Sequence, residues 1–190
     1  MQRPVTLRPL ALALMLAAAP AWADPPSGNP APPPSADMAD EVVPQVPQRE
    51  RDFIQIIEDA RKEARVSHSL KDVRMGLQIR VMNFYQQSHE LEGWQGTVKA
   101  THVTEDGDVW ISIAIDDGIT LTTSPTRAAD RRYLTLLKGG TPLAKIAAGL
   151  KTGQPVLFTA TLFRYVNDSD DDMINNPRLL GHFTSLKPLQ

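Results

Sequence analysis

The chain has 190 residues, 42% hydrophobic and 22% charged, with a formal net charge of -2. That length supports one ordinary domain with extensions, and the composition is that of a globular protein. Near-neutral charge excludes a global basic field drawing in nucleic acid or anionic lipid; the lack of cysteine excludes a disulfide framework, a thiolate nucleophile and a cysteine zinc site.

Residues 1–23 read as a secretory signal peptide. Arg3 and Arg8 form the positive n-region, Leu10 to Ala19 the apolar h-region, and Ala21-Trp22-Ala23 a small-x-small cleavage site. Cleavage after Ala23 predicts a mature chain starting at Asp24 and located in the periplasm. No second long apolar run follows, so no transmembrane segment is expected in the mature chain. Residues 24–48 are rich in Pro, Ser and Ala and poor in large apolar side chains. Such a segment cannot bury enough surface to offset the entropy of ordering, and it reads as a disordered linker.

From residue 49 to 88 the spacing becomes helical. Phe53, Ile56, Ile57, Ala60 and Ala64 share one stripe, and Leu70, Val73, Leu77, Val81 and Phe84 another. Ser69 with Asp72 has the spacing of a capping box. The segment is one helix bent at Ser67-His68-Ser69, or two helices.

Residues 89–190 are predicted to be a β domain. Trp94, Gly96, Val98 and Ala100 alternate with polar residues, as do Val109, Ile111, Ile113 and Ile115; Asp106-Gly107 between them marks a hairpin turn. A third strand is expected at 119–123 after Asp116-Asp117-Gly118. A loop follows at 124–130, then a further extended piece at 133–137. Thr141 caps a short helix at 142–150 with Pro142 at its first position. Strands at 156–166 and 179–186 flank a polar loop, 167–177. Strand, strand, strand, helix, strand, strand predicts a five-stranded Greek-key OB-fold barrel preceded by a helical segment. An SH3-like barrel and a small α+β sandwich are the rival architectures.

Trp94-Gln95-Gly96-Thr97-Val98, Asp106-Gly107-Asp108-Val109, Ile119 through Thr122, Leu134-Thr135-Leu136-Leu137 and Gly153-Gln154-Pro155-Val156-Leu157-Phe158 together resemble exported bacterial OB-fold proteins of the tRNA-anticodon-binding-like family. The resemblance extends from about Phe53 to Leu186 and rests on Trp, Gly and apolar spacing. Thr159-Ala160 departs from it, standing where the family pattern often has Ser-Gly. It implies a shared fold; it does not imply tRNA binding, because fold does not fix function.

Alternation sends Lys99 and Thr101 outward with Trp110 and Ser112, and Arg127, Arg131, Arg132, Tyr133 and Lys138 follow nearby in the chain. Aromatic platforms beside cations are what a polymer-binding barrel face needs, so Lys99, Trp110, Arg127, Arg131, Arg132 and Tyr133 are the candidate ligand-binding residues. The alternative for Trp110 is cover by the N-terminal helices. Nucleic acid is disfavoured by the acidic run Asp168, Asp170, Asp171 and Asp172 in the loop flanking that face, and by export. Asp168, Asp170 and Asp172 have the opening spacing of an EF-hand, but Met173 and Leu179 stand where Gly and Glu are required. A solvated loop is the expectation there.

His68, His89, His102 and His182 form no metal-binding motif, no G-x-S-x-G occurs, and Lys138-Gly139-Gly140 is a helix approach rather than a phosphate loop. No catalytic residue, metal or cofactor is expected. The sequence reading is a periplasmic binding or interaction module whose partner is another cell-envelope protein; the alternative is a barrel that binds an oligonucleotide or oligosaccharide.

Overall fold

The computed structural model describes residues 45–189; the expected signal peptide and the Pro-rich lead as far as residue 44 lie outside the described residues. Two helices come first, α1 (Gln48–Val66) and α2 (Leu70–Gln87). The break falls where the spacing placed it. Ser67 is extended, and the Ser69 hydroxyl accepts the Asp72 N–H, capping α2. The reciprocal half of a capping box is taken by Ser67, whose hydroxyl accepts the Ser69 N–H. Gln48, assigned above to the linker, is the first residue of α1, behind Pro47 at the N-cap.

α1 and α2 form an antiparallel hairpin. Arg49 near the start of α1 donates to the carbonyls of Phe84 and Ser88 at the end of α2 and stacks over the Phe84 ring. Glu63 near the end of α1 takes a two-pronged ion pair from Arg80. The inner stripes, Phe53, Ile57 and Ala60 with Val73, Leu77, Val81 and Phe84, are buried. No helix among the described residues is long and apolar enough to cross a membrane.

Five strands follow: β1 (Glu90–Val103), β2 (Val109–Asp116), β3 (Ile119–Thr122), β4 (Pro155–Tyr165) and β5 (Arg178–Pro188). They close into a barrel in the order β1-β2-β3-β5-β4, with β3 and β5 parallel and the other pairs antiparallel. The short helix α4 (Pro142–Gly149) lies between β3 and β4 in the chain, with Thr141 accepting the Ala144 N–H as its cap. This is a closed five-strand barrel with added helices, consistent with an OB-fold-like barrel. Trp94 on β1, fully buried, joins barrel and hairpin through Phe53, 5.5 Å between ring centres, and Phe84, 6.4 Å. α4 packs with Ala144 and Ala147 buried, and the Ala147 carbonyl accepts from Thr101 of β1.

Three local expectations are corrected. The 167–177 loop contains helix α5 (Asp170–Asn175), capped by Ser169, with Ile174 fully buried; Asp170, Asp171 and Asp172 occupy its first turn, where carboxylates suit the helix dipole. The 124–130 loop contains one turn of helix, α3 (Arg127–Asp130), capped by Thr126. The 133–137 stretch is no strand; it touches the sheet through a single bridge, Val109↔Leu137, because Asp130 folds the chain back on itself at Thr135 and Leu136.

Candidate functional site

The chain between β3 and α4 builds a large cavity. Asp130, 6% exposed, is its organiser. One carboxylate oxygen accepts the N–H and hydroxyl of Thr135 at 2.6 and 2.7 Å, and the other accepts the Leu136 N–H at 3.0 Å. Buried Ser124 is drawn in, its N–H donating to the Thr135 hydroxyl. A buried carboxylate is tolerated when several donors face it, and here they hold residues 124–136 as a fixed arch.

Asp108, at the end of the β1–β2 turn, ties the other side. It accepts from the Arg127 guanidinium and from the Gly139 N–H at 2.8 Å. Arg127 first, then the Gly139 N–H, holds the Asp108 carboxyl below its ordinary range. Gly139 is required at this crossing: a Cβ there would lie 2.5 Å from the Gly107 carbonyl oxygen.

The cavity framed by these ties has a volume of about 1030 Å³. Leu136, Leu137, Leu143 and Phe183 give it an apolar floor, with Arg131 and Lys138 at the exposed rim. His182 and Thr184 of β5 form the far wall, and the His182 ring bonds to the Leu134 carbonyl at 2.9 Å. Leu134, 69% exposed at the mouth, is the one non-glycine with positive φ (51°) among the described residues. That conformation is disfavoured for a bulky side chain and follows from the tight turn at Asp130, whose carbonyl accepts the Leu134 N–H. An apolar floor ringed by polar and charged side chains, at this size, is an arrangement a ligand site can use.

The structure divides the sequence candidates. Arg127 and Arg131 line this cavity. Arg127 is committed to Asp108 and Asp106; the Arg131 side chain makes no ion pair or hydrogen bond among the described residues. Tyr133 stands just beyond the rim, 5.2 Å from Phe163, with Arg132 and Arg164 over its ring. Trp110 lines a second, smaller cavity of about 300 Å³ with Thr122, Pro125, Arg164, Arg178 and Leu180. No residue of α1 or α2 lines it. Lys99 stands apart from both cavities, reaching Thr120 at 3.3 Å.

The outer-face register assumed for the hairpin also fails. Val98 pairs with Ile113 and Ala100 with Ser112, so Lys99 is the extra residue of a bulge, and the alternation shifts by one. Ser112 is buried rather than outward. Of the acidic run, Asp170 pairs with Arg74 at 2.8 Å, while Asp168, 3.9 Å from Arg178, and Asp171 and Asp172 are exposed. Among the described residues no three His, Asp or Glu side chains converge as a metal set.

Sequence reasoning missed Leu143, Phe163, Arg164, His182, Phe183 and Thr184. Phe163 carried a signal, because it breaks the polar-outward pattern of its strand; the others are ordinary strand and helix residues until β5 is laid beside the 124–138 arch. Comparison of the chain with protein-family models, with curated proteins and with solved structures finds no match.

Proposed function

We propose that this chain is a periplasmic, non-catalytic binding module of the Greek-key OB-fold kind, and that it contacts another cell-envelope protein through the cavity between the 124–138 arch and β5. One observation carries the reading: an apolar floor of Leu136, Leu137, Leu143 and Phe183 beneath a rim where Arg131 has no ionic partner among the described residues. Apolar surface with a few oriented charges is the chemistry of recognition. The strand order and the parallel β3–β5 pair support the OB-fold assignment, and the sequence resemblance to exported proteins of the tRNA-anticodon-binding-like family agrees with it. The signal-peptide pattern supports export.

The test is cross-linking in intact cells from a photoreactive side chain at Leu134, with Ile79 on α2 as the control position. Adducts from Leu134 and none from Ile79 support the cavity as the contact. Adducts from Ile79 alone place the partner on the helical hairpin and defeat the assignment. A leader still attached to the purified protein would defeat the export reading.

The alternative, an oligonucleotide or oligosaccharide ligand, is favoured by a different observation: the Tyr133–Phe163 pair flanked by Arg132 and Arg164 is a stacking platform with cations beside it. Fluorescence anisotropy with a labelled single-stranded oligonucleotide, at low and moderate salt, tests it. Binding that weakens steeply with salt and is lost in Tyr133→Ala supports a polymer ligand.

A further inference from the structure

The barrel is closed by a short seam, the parallel β3–β5 pair. β3 and β5 pair only at Thr120↔Arg178, Leu121↔Leu179 and Thr122↔Leu180, yet β5 continues to Pro188 with β4 along its other side. A strand turns alternate N–H and C=O groups to its two edges. From Gly181 to Leu186, therefore, no strand among the described residues lies beside the edge of β5 facing away from β4. This strand edge, unpaired by any strand though α4 packs against β5, is roughly 20 Å long at the usual rise per residue.

The opposite wall is also strand-like. Leu137 exchanges both backbone hydrogen bonds with Val109, at 2.8 and 3.1 Å. Its neighbours face the other way, and neither the Leu136 carbonyl nor the Lys138 N–H has a hydrogen-bond partner among the described residues. Between these two walls lies the large cavity, with Phe183 and Thr184 on one side and Leu136, Leu137 and Lys138 on the other. Thr184 is the extra residue of a bulge against β4, a feature that re-aims a strand edge.

The geometry points to an extended peptide as the occupant: a segment of a partner protein that enters this slot as an added strand on β5, its apolar side chains on the Leu136–Leu143–Phe183 floor and an acidic side chain at Arg131 and Lys138. Main-chain bonds to an open edge supply affinity, and alternate side chains supply specificity. Charge complementarity selects the acidic residue. Around the slot stand Arg127, Arg131 and Lys138 against Asp108 and Asp130. Arg127 is taken by Asp108, the Asp130 oxygens are filled by Thr135 and Leu136, and Lys138 is near Asp108 without forming an ion pair. Two cations are left for a ligand. This rests on the cavity being the contact site proposed above.

The test uses the purified full-length chain and a displayed library of random heptapeptides. Peptides so selected are synthesised with a fluorescent label and titrated by anisotropy. Expected are sequences alternating apolar residues with at least one Asp or Glu. Their affinity should fall at least tenfold when alternate backbone amides are N-methylated, and at least tenfold in the double variant Arg131→Glu, Lys138→Glu. Both residues are exposed and make no side-chain hydrogen bond or ion pair among the described residues, so the variant should fold; circular dichroism checks this. Affinity indifferent to N-methylation, or to the double variant, overturns strand addition in the slot. The same double variant is titrated with 8-anilinonaphthalene-1-sulfonate, a small anionic apolar probe. Probe binding that depends on the two cations, with no peptide selected, overturns the peptide and keeps the cavity as a binding site. Probe and peptides both indifferent to the variant overturn the site as well.

Discussion

Glu50 in the first turn of α1 accepts the backbone N–H of Gln95 in β1 at 2.9 Å, so a carboxyl group only 2% exposed ties the helical hairpin to the barrel. Burial raises its pKa from 4.5 to about 7, opposed by the Gln95 N–H; nearby Asp116 adds to the rise and Arg51 resists it. The folded state therefore holds this proton more tightly than the unfolded chain. Its contribution is fully present below pH 4.5 and is lost as pH rises through about 7. Solvent screening of the charged form limits the loss to roughly 1–3 kcal/mol. Glu50→Gln keeps an acceptor for Gln95 without a charge, so urea unfolding should show a variant more stable than wild type at pH 8 and little different at pH 4.5. Parallel pH profiles for the two proteins would contradict the buried-carboxyl account.

Asp130→Ala removes the acceptor for two backbone N–H groups and the Thr135 hydroxyl, all buried. Stranded donors cost more than the bonds themselves contribute. A loss of about 3 kcal/mol is expected by denaturant titration, and hydrogen exchange should accelerate at Thr135 and Leu136 before it does in β4. Unchanged exchange there would mean that the arch is held by other contacts.

Gly96 crosses β2 and β4 where a Cβ would sit 2.5 Å from Ile113 Cγ2 and 2.6 Å from the Ala114 carbonyl oxygen. A backbone oxygen in a paired strand cannot yield as a surface side chain can. Gly96→Ala should destabilise by about 2 kcal/mol or more, as overpacking does. A melting temperature within a degree of wild type would show that the barrel can breathe at this seam.

Arg61, on α1, donates one guanidinium nitrogen to the carbonyls of Asp117 and Asn175, both at 2.9 Å. It joins α1 to the β2–β3 turn and to the end of α5. Gly118 beside it has φ of 72°, and a Cβ there would meet that same nitrogen at 2.8 Å. Arg61→Ala should cost about 1–2 kcal/mol and increase proteolysis within 167–177 under native conditions. Arg61→Lys should recover part of this, since an ammonium reaches one carbonyl more easily than two. Equal protease sensitivity in all three proteins would remove Arg61 from the account.

What was legible in the chain alone is what short-range geometry encodes. The Phe53–Ile57–Ala60 stripe, the Ser69 and Thr141 caps, Asp-Gly at the hairpin and the apolar alternation of Val109, Ile111 and Ile113 each depend on residues a few positions apart. They were enough to order the strands and to place a helix between the third and fourth. The bulge at Lys99 was not legible, because an inserted residue is defined only against its partner strand. Helix α5 was hidden for a related reason: six residues opening on three aspartates read as a solvated loop until α1 and α2 pack beside it and Ile174 gains a core to enter. The cavity belongs wholly to tertiary structure. Its floor joins Leu136, Leu143 and Phe183, its cations come from a chain folded back by one buried aspartate, and its slot exists because β3 ends at Thr122 while β5 runs on. Local spacing determines which elements form; contacts between residues far apart in the chain decide which of their faces and edges are left open.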